Sequence, residues 1–361
     1  MPGRTLTVPS GLPAQSVGGQ APQQRMVAAA PLRRYGSGRP LVVVALGGNA
    51  LMPPEDDGSL ASQQKRCDIV ARALYGIVRR GFRVLLVHGN GPQVGQEMLR
   101  GEATANKLPL VPLDGCVAAT QGTMGVQLEL ALYNQSPALR VASLLTLVEV
   151  LADDPAFGHP TKPIGPFFAE HRAKELRRKH KWQIVEDSGR GWRKVVPSPL
   201  PVSVLNLDAI DAAVSRADVV IAGGGGGVPV LRGAGGKVAG VEAVIDKDAT
   251  ASLLGQCLGA QTLVILTGVD SISLDFGKPT QRRIESMTAS QAETWWQEGQ
   301  FPPGSMGPKV RACVDFVRAS GQTAAVASVR SLAKVLIGRG GTRVEPDGAR
   351  QGALGPTGRR T

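Results

Sequence analysis

Three lysines and the acids around one of them are the residues best placed to do chemistry. The stretch Val241–Asp248 reads VEAVIDKD, an apolar run closed by the acid–base–acid triplet Asp246, Lys247 and Asp248. Small and apolar residues follow with helical spacing from Ala249 to Leu258, so the triplet is predicted to start a helix. Aspartate there has an ordinary role, capping free N–H groups and suiting the helix dipole. A lysine in that first turn adds a cation to a positive end, which makes sense when an anion such as phosphate binds there. Lys162 in PTKPIGP and Lys309 in GSMGPKV also lie in turns shaped by glycine or proline. Any one of these is more often a solvated surface lysine, but three in turns that fix the ammonium's direction suit phosphoryl transfer. That reaction depends on positioning and on neutralising charge. Two anionic reactants repel by about 4 kcal/mol per unit-charge pair at 4 Å in an effective dielectric of 20. An acceptor that is already ionised needs no general base. That fits a chain with four histidines and no Ser/His/Asp or Cys/His arrangement. His88, beside a glycine turn, reads as structural.

The elements that must hold these residues follow a repeated grammar. Leu41–Leu46 is a buried-strand run ending at Gly47-Gly48-Asn49, and Ser62–Arg80 has an amphipathic helical pattern closed by Gly81. Arg83–Val87 is a second strand, ending in His88-Gly89-Asn90-Gly91-Pro92. Strand, glycine loop, helix and strand is how a parallel sheet is written, with ligands at the carboxyl ends of the strands. Ala118–Asn134 reads as a helix and Val141–Val148 as one strand. Between Asp153 and Val196 the pattern breaks into a proline-rich, then basic, excursion. The core resumes with a helix near Asn206–Arg216 and a strand at Asp218–Ala222. That strand runs into Gly223–Gly227, five glycines that give almost no packing but let N–H groups approach a ligand. Strands at Leu263–Thr267 and Ala324–Ser328 and helices at Thr288–Glu298, Gly307–Ser320 and Ser331–Ile337 complete the pattern. Past Thr342 the chain is Gly-, Pro- and Arg-rich and is expected to be disordered. No Walker A or GxGxxG fingerprint occurs, which removes the main support for P-loop and dinucleotide-binding readings.

Composition narrows the class. A chain of 361 residues at 42% hydrophobic can bury a large core, and no run approaches the roughly 18 apolar residues of a membrane span. Aromatics at 4% weaken a base-stacking nucleic-acid platform, so the net charge of +12 suits anionic metabolites better. Cys67, Cys116, Cys257 and Cys313 are far apart and form no C-x-x-C, so they read as buried thiols in a reducing compartment. Residues 1–40 hold five arginines and no acid. They fit an organelle transit peptide or, equally, a tail upstream of a later start at Met26, leaving cytoplasm and organelle matrix both open.

The ordered motifs ALGGNAL (45–51), HGNGPQVG (88–95), DPAFGHPTKPIGP (154–166), GRGWRKVVPSP (189–199), AGGGGGVPV (222–230), GVEAVIDKDA (240–249), LTGVD (266–270) and GSMGPKV (304–310) strongly resemble carbamate kinases of the amino-acid kinase superfamily. The resemblance implies a three-layer αβα sandwich over residues 41–344, with a mainly parallel eight-stranded central sheet. It also implies a protruding subdomain at about 153–196, outer segments 1–40 and 345–361, and a homodimer. The implied reaction is reversible transfer between ATP and carbamate, giving ADP and carbamoyl phosphate. Magnesium would be bound through the ATP phosphates rather than by a protein metal site, and the reaction would serve ATP synthesis in arginine and citrulline catabolism. Lys162, Lys247 and Lys309 would meet the phosphates, with Asp248 holding the lysines. Gly47, Gly48, Asn49, Gly89, Asn90 and Gly91 would cradle the acceptor and the γ-phosphate, and Gly225, Gly226 and Gly227 would line the acceptor side. Thr267, Val269, Asp270 and Met306 would lie near the nucleotide. Departures are few: Gln300-Phe301-Pro302-Pro303 lacks the family's usual His, and the glycine run is longer by one. A uridylate or acetylglutamate kinase is the nearest rival, though it would not retain PTKPIGP or IDKDA. A basic nucleic-acid-binding protein that kept only the fold is the other.

Overall fold

In a computed structural model, residues 38–52, 58–187, 189, 191–302 and 304–348 are described. Most of the 1–40 extension and of the 345–361 tail therefore lies outside the described residues. The apolar run Leu41–Leu46 (β1) sits at the middle of the fold. Leu41, Val43 and Ala45 face one hydrophobic core, and Val42, Val44 and Leu46 face a second on the other side. A strand with period-two side chains, all buried, must be covered on both faces, which dictates helix layers above and below the sheet.

After β1 come a short helix, α1 (Gly48–Leu51), then α2 (Leu60–Val78), β2 (Arg83–His88), α3 (Gly91–Thr104), α4 (Leu113–Gln135) and β3 (Val141–Ser143). β4 (Leu147–Glu149) lies in a separate four-stranded sheet, between Val228–Arg232 and Ser203–Val204. The excursion holds β5 (Lys162–Phe168), α5 (Glu170–His180), β6 (Ile184–Glu186) and β7 (Trp192–Val196), which make their own antiparallel sheet in the order β5-β7-β6. The main body continues with α6 (Leu207–Arg216), β8 (Val219–Ile221), β9 (Val228–Arg232), α7 (Lys247–Cys257) and β10 (Thr262–Leu266). Last come β11 (Ser286–Thr288), α8 (Ala289–Gln297), α9 (Met306–Ser320), β12 (Thr323–Ala327) and β13 (Thr342–Glu345). The central sheet has eight strands in the order β11-β13-β12-β10-β1-β2-β8-β3, and every pairing except β12–β13 is parallel. Helices α2 and α4 cover one face, and α6, α7, α8 and α9 cover the other. This is a three-layer αβα sandwich. Among the described residues, no helix is long and apolar enough to cross a membrane.

Two expectations are corrected. The single strand Val141–Val148 is two strands in different sheets. Between them the buried Thr146 accepts from the Gly223 N–H (2.8 Å) and donates its own N–H to Gln121 Oε1 (2.8 Å), which draws the chain out of the central sheet. The segment past Thr342 is not irregular at once: Thr342–Glu345 enters the sheet between β11 and β12, with Thr342 and Val344 fully buried. Thr342 Oγ1 accepts from the Ile272 N–H at 2.8 Å and donates to the Ile284 carbonyl. A four-residue alternation inside a Gly- and Arg-rich tail is too short for composition to show.

Candidate active site

The parallel strands deliver their glycine turns to one edge. Gly47 follows β1 and Gly89 follows β2, and the Gly89 N–H donates to the Leu46 carbonyl (2.7 Å), locking the two turns side by side. Gly48 then opens α1, where the Ala50 N–H returns to the Gly47 carbonyl (2.9 Å); the Asn49 side chain is outside the described residues. Asn90 is buried and donates its amide to Thr120 Oγ1 at 2.8 Å. Gly91 opens α3.

The five glycines do more than leave space, and this corrects the expectation that they scarcely pack. All are buried, and Gly223, Gly225, Gly226 and Gly227 have positive φ. A Cβ on Gly225 would meet the Asn90 amide at 2.2 Å, and one on Gly226 would meet the Ile245 carbonyl at 2.4 Å. The N–H groups of Gly226 and Gly227 bond within the loop, to Gly223 and Gly224. The run is therefore a backbone spacer. It presses the Asn90 turn against Ile245, the residue just before the charged triplet.

The three lysines come from three elements. Lys162 is the first residue of β5, Lys247 the first of α7, and Lys309 lies in the first turn of α9. Asp246 caps α7, its Oδ1 accepting from the Asp248 N–H (2.8 Å), while its Oδ2 takes the Lys162 ammonium at 2.7 Å. Asp248 bridges the other two: one oxygen takes Lys247, the other Lys309 at 2.8 Å. Lys247 and Asp248 are buried, whereas Lys162 and Lys309 keep about a fifth of their side-chain surface. Three ammonium groups on two carboxylates leave one positive charge over, at the mouth of a helix dipole. That surplus charge suits an anion.

Electrostatics set the protonation states. Burial pulls Lys247 below the ordinary lysine value, with Asp248 resisting. Burial works against both aspartates, yet the lysines outweigh it: Lys162 and Lys247 hold Asp246 low, and Lys247 and Lys309 hold Asp248 low. Lys309 is raised, because Asp248 overcomes the burial penalty. His88 is pushed down to about 4, chiefly by burial and also by the Lys247 charge, so it is neutral. Its ring packs against Gly224, and its Nδ1 lies 3.3 Å from the Gly89 carbonyl, which suits the structural role expected of it.

The residues expected at the nucleotide divide. Met306 starts α9, one turn before Lys309, and packs against the core. Thr267, Val269 and Asp270 follow β10, where the Thr267 N–H bonds to the Ala327 carbonyl (2.9 Å) and Asp270 accepts from Ser331 (3.4 Å). Val269 is 40% exposed. Asp246 was legible as a cap but not as the partner of Lys162, since nothing local in sequence links residues 84 positions apart.

The sequence profile of the amino acid kinase family matches residues 40–328. A carbamate kinase of Lentilactobacillus hilgardii is 43% identical over 297 residues, covering 81% of this chain and 92% of that protein. One from Pyrococcus furiosus is 40% identical over 312 residues, covering 84% and 99%. The chain belongs to the amino acid kinase family, in its carbamate kinase branch. A solved structure of the Giardia lamblia carbamate kinase bound to AMP-PNP superposes with a TM-score of 0.78 at 38% identity, covering 86% of this chain and 99% of that one. A kinase of this family is a phosphotransferase, which is the chemistry the surplus ammonium charge suits. Among its described residues, no group of three or more His, Cys, Asp or Glu side chains could hold a metal ion. Both carboxylates of the lysine cluster already hold ammonium groups.

Proposed function

We propose that this carbamate kinase family member catalyses reversible phosphoryl transfer between ATP and carbamate, giving ADP and carbamoyl phosphate. The observation that carries the reading is the lysine–aspartate cluster: three cations on two carboxylates, beside two Gly-Asn turns at one edge of the sheet. Lys162, Lys247 and Lys309 neutralise charge on the phosphoryl group in flight, and Asp246 and Asp248 fix where each ammonium points. Carbamate is already an anion, so its oxygen attacks without a base, and the neutral, buried His88 is not needed as one. The turns at Gly47–Asn49 and Gly89–Gly91 offer N–H donors and no long side chain, which selects a small acceptor. Gly225, Gly226 and Gly227 act on that acceptor by fixing Asn90. The nucleotide lies along Thr267, Val269, Asp270 and Met306, on the side from which Lys309 comes. Magnesium would travel on the nucleotide's phosphate oxygens, where it offsets their charge.

Carbamoyl phosphate is a mixed anhydride that readily gives up its phosphoryl group. The reading therefore extends to ATP synthesis from carbamoyl phosphate and ADP, and its place in arginine and citrulline catabolism is carried by the family resemblance alone. A homodimer is part of it too. Leu60 of α2 and Val126 and Leu130 of α4 are exposed and line one apolar groove suited to a second copy. The substrate assay offers ATP with a carbamate-forming mixture of ammonium and bicarbonate, or with UMP or N-acetylglutamate, and follows ADP. Turnover with the first alone is expected. Turnover only with UMP or N-acetylglutamate would contradict the assignment.

A further inference from the structure

Glu102, near the end of α3, lies outside the lysine cluster and is an unusual carboxylate. Its side chain is only 8% exposed, yet three groups of α5 converge on it. His180 Nε2 is 3.0 Å from Oε1, the Lys179 ammonium donates to the same oxygen at 3.4 Å, and Arg172 donates to both oxygens at 3.3 and 3.4 Å. Burial disfavours its charge, but the bonds from His180 and Lys179 and the Arg172 charge outweigh it and hold the group low. A single exposed ion pair is worth little, whereas four donor contacts on one sheltered carboxylate fix a geometry.

That geometry bears on Lys162. Helix α3 begins at the Gly89–Gly91 turn, and its middle meets β5 backbone to backbone, since a Cβ on Gly95 would stand 1.9 Å from Gly165 Cα. The contact at Gly95 is a pivot, flanked by Val94 and Ile164 in one small apolar core, and Glu102 adds a second tie further along α3. Glu102 is seven residues further along α3, about 10 Å away at 1.5 Å per residue. Lys162 is three residues before Gly165 on β5, also about 10 Å at 3.3 Å per residue. With arms of similar length, a shift of about 1 Å at the Glu102 end carries through as about 1 Å at the Lys162 backbone. A shift of that size makes the Lys162 stem re-extend to keep its 2.7 Å bond to Asp246, and so moves the ammonium from the place the cluster sets for it.

We propose that Glu102 is a positioning residue: by holding α5 it fixes the angle of the β5–β7–β6 sheet on α3, and so keeps the Lys162 ammonium at Asp246. The proposal rests on the reading of Lys162 as a phosphate-binding lysine. The test compares Glu102→Gln with wild type in the full chain, measuring kcat, the KM for ADP, and hydrogen exchange of the β5 amides. Expected are a fall in kcat of about 10-fold or more, an unchanged KM for ADP, and faster exchange over residues 162–168. Adding Glu102→Gln to Lys162→Ala should cause no further fall, because the two act through one ammonium. An unchanged kcat, or the same fold-loss with and without Lys162, would overturn the proposal. If Glu102→Gln does not fold, the combined Arg172→Gln, Lys179→Gln, His180→Gln variant asks the same question from the solvent side of the pair. A wild type inactive on carbamoyl phosphate would count against the substrate reading alone. In that case β5 exchange decides the positioning claim: faster exchange in the variant supports it and unchanged exchange overturns it.

Discussion

Asp248 holds two lysines with one carboxylate, and the consequence is a pH dependence with a definite sign. Lys247 is already below the free-lysine value because it is buried, and Asp248 is the group that resists this. The activity of the wild type should therefore fall on the alkaline side below about 10.4, the value of an unburied lysine. Asp248→Asn removes the resisting charge, so the alkaline limb of its kcat profile should move to lower pH. A limb that stays in place would mean that Lys247 does not titrate in the rate. The lysines and Asp248 were legible from sequence because their turns are local. The pairing of Lys162 with Asp246, and the cluster on Glu102, were not, because each partner arrives from a different element.

At the scale of elements, two glycines in helices make opposite predictions. Gly95 of α3 meets the backbone of Gly165, which has nowhere to go, whereas Gly76 of α2 has open space where a Cβ would stand. Gly95→Ala should cost at least about 1–3 kcal/mol, as overpacked sites do, and should lower turnover by displacing β5. Gly76→Ala should instead stabilise by about 0.4–1 kcal/mol, since alanine has less backbone freedom to lose. Thermal melts of both variants check the pair, and a neutral Gly95→Ala would remove the pivot. Most strands and helices of the main body were legible because their apolar periods are long and their turns rich in glycine, but α3, a largely polar helix opened by Gly91-Pro92, was not read as one. The breaks were not: Thr146 splits a run that reads as one strand, and Thr342–Glu345 pairs despite its surroundings.

The whole molecule presents an apolar face on α2 and α4 and a polar, charged site at the edge of its sheet. If the apolar face is a dimer contact, Val126→Glu with Leu130→Glu should halve the mass measured by light scattering, and an unchanged dimer would place the contact elsewhere. The parallel sheet was legible because strand, glycine loop and helix recur in the order it needs, and the three-layer sandwich followed from the family resemblance. Which anion the site accepts is a harder matter, since N–H donors and ammonium groups recognise charge before they recognise identity. The central claim is that the lysine cluster moves a phosphoryl group between carbamate and ADP. The direct measurement is the initial rate of ATP formation from carbamoyl phosphate and Mg-ADP, for wild type and for Lys309→Ala. The account predicts ATP formation by the wild type and a loss on the order of 10²–10³ in the variant, the cost of removing one transition-state donor. No ATP from the wild type, or equal rates from a folded Lys309→Ala, would contradict it.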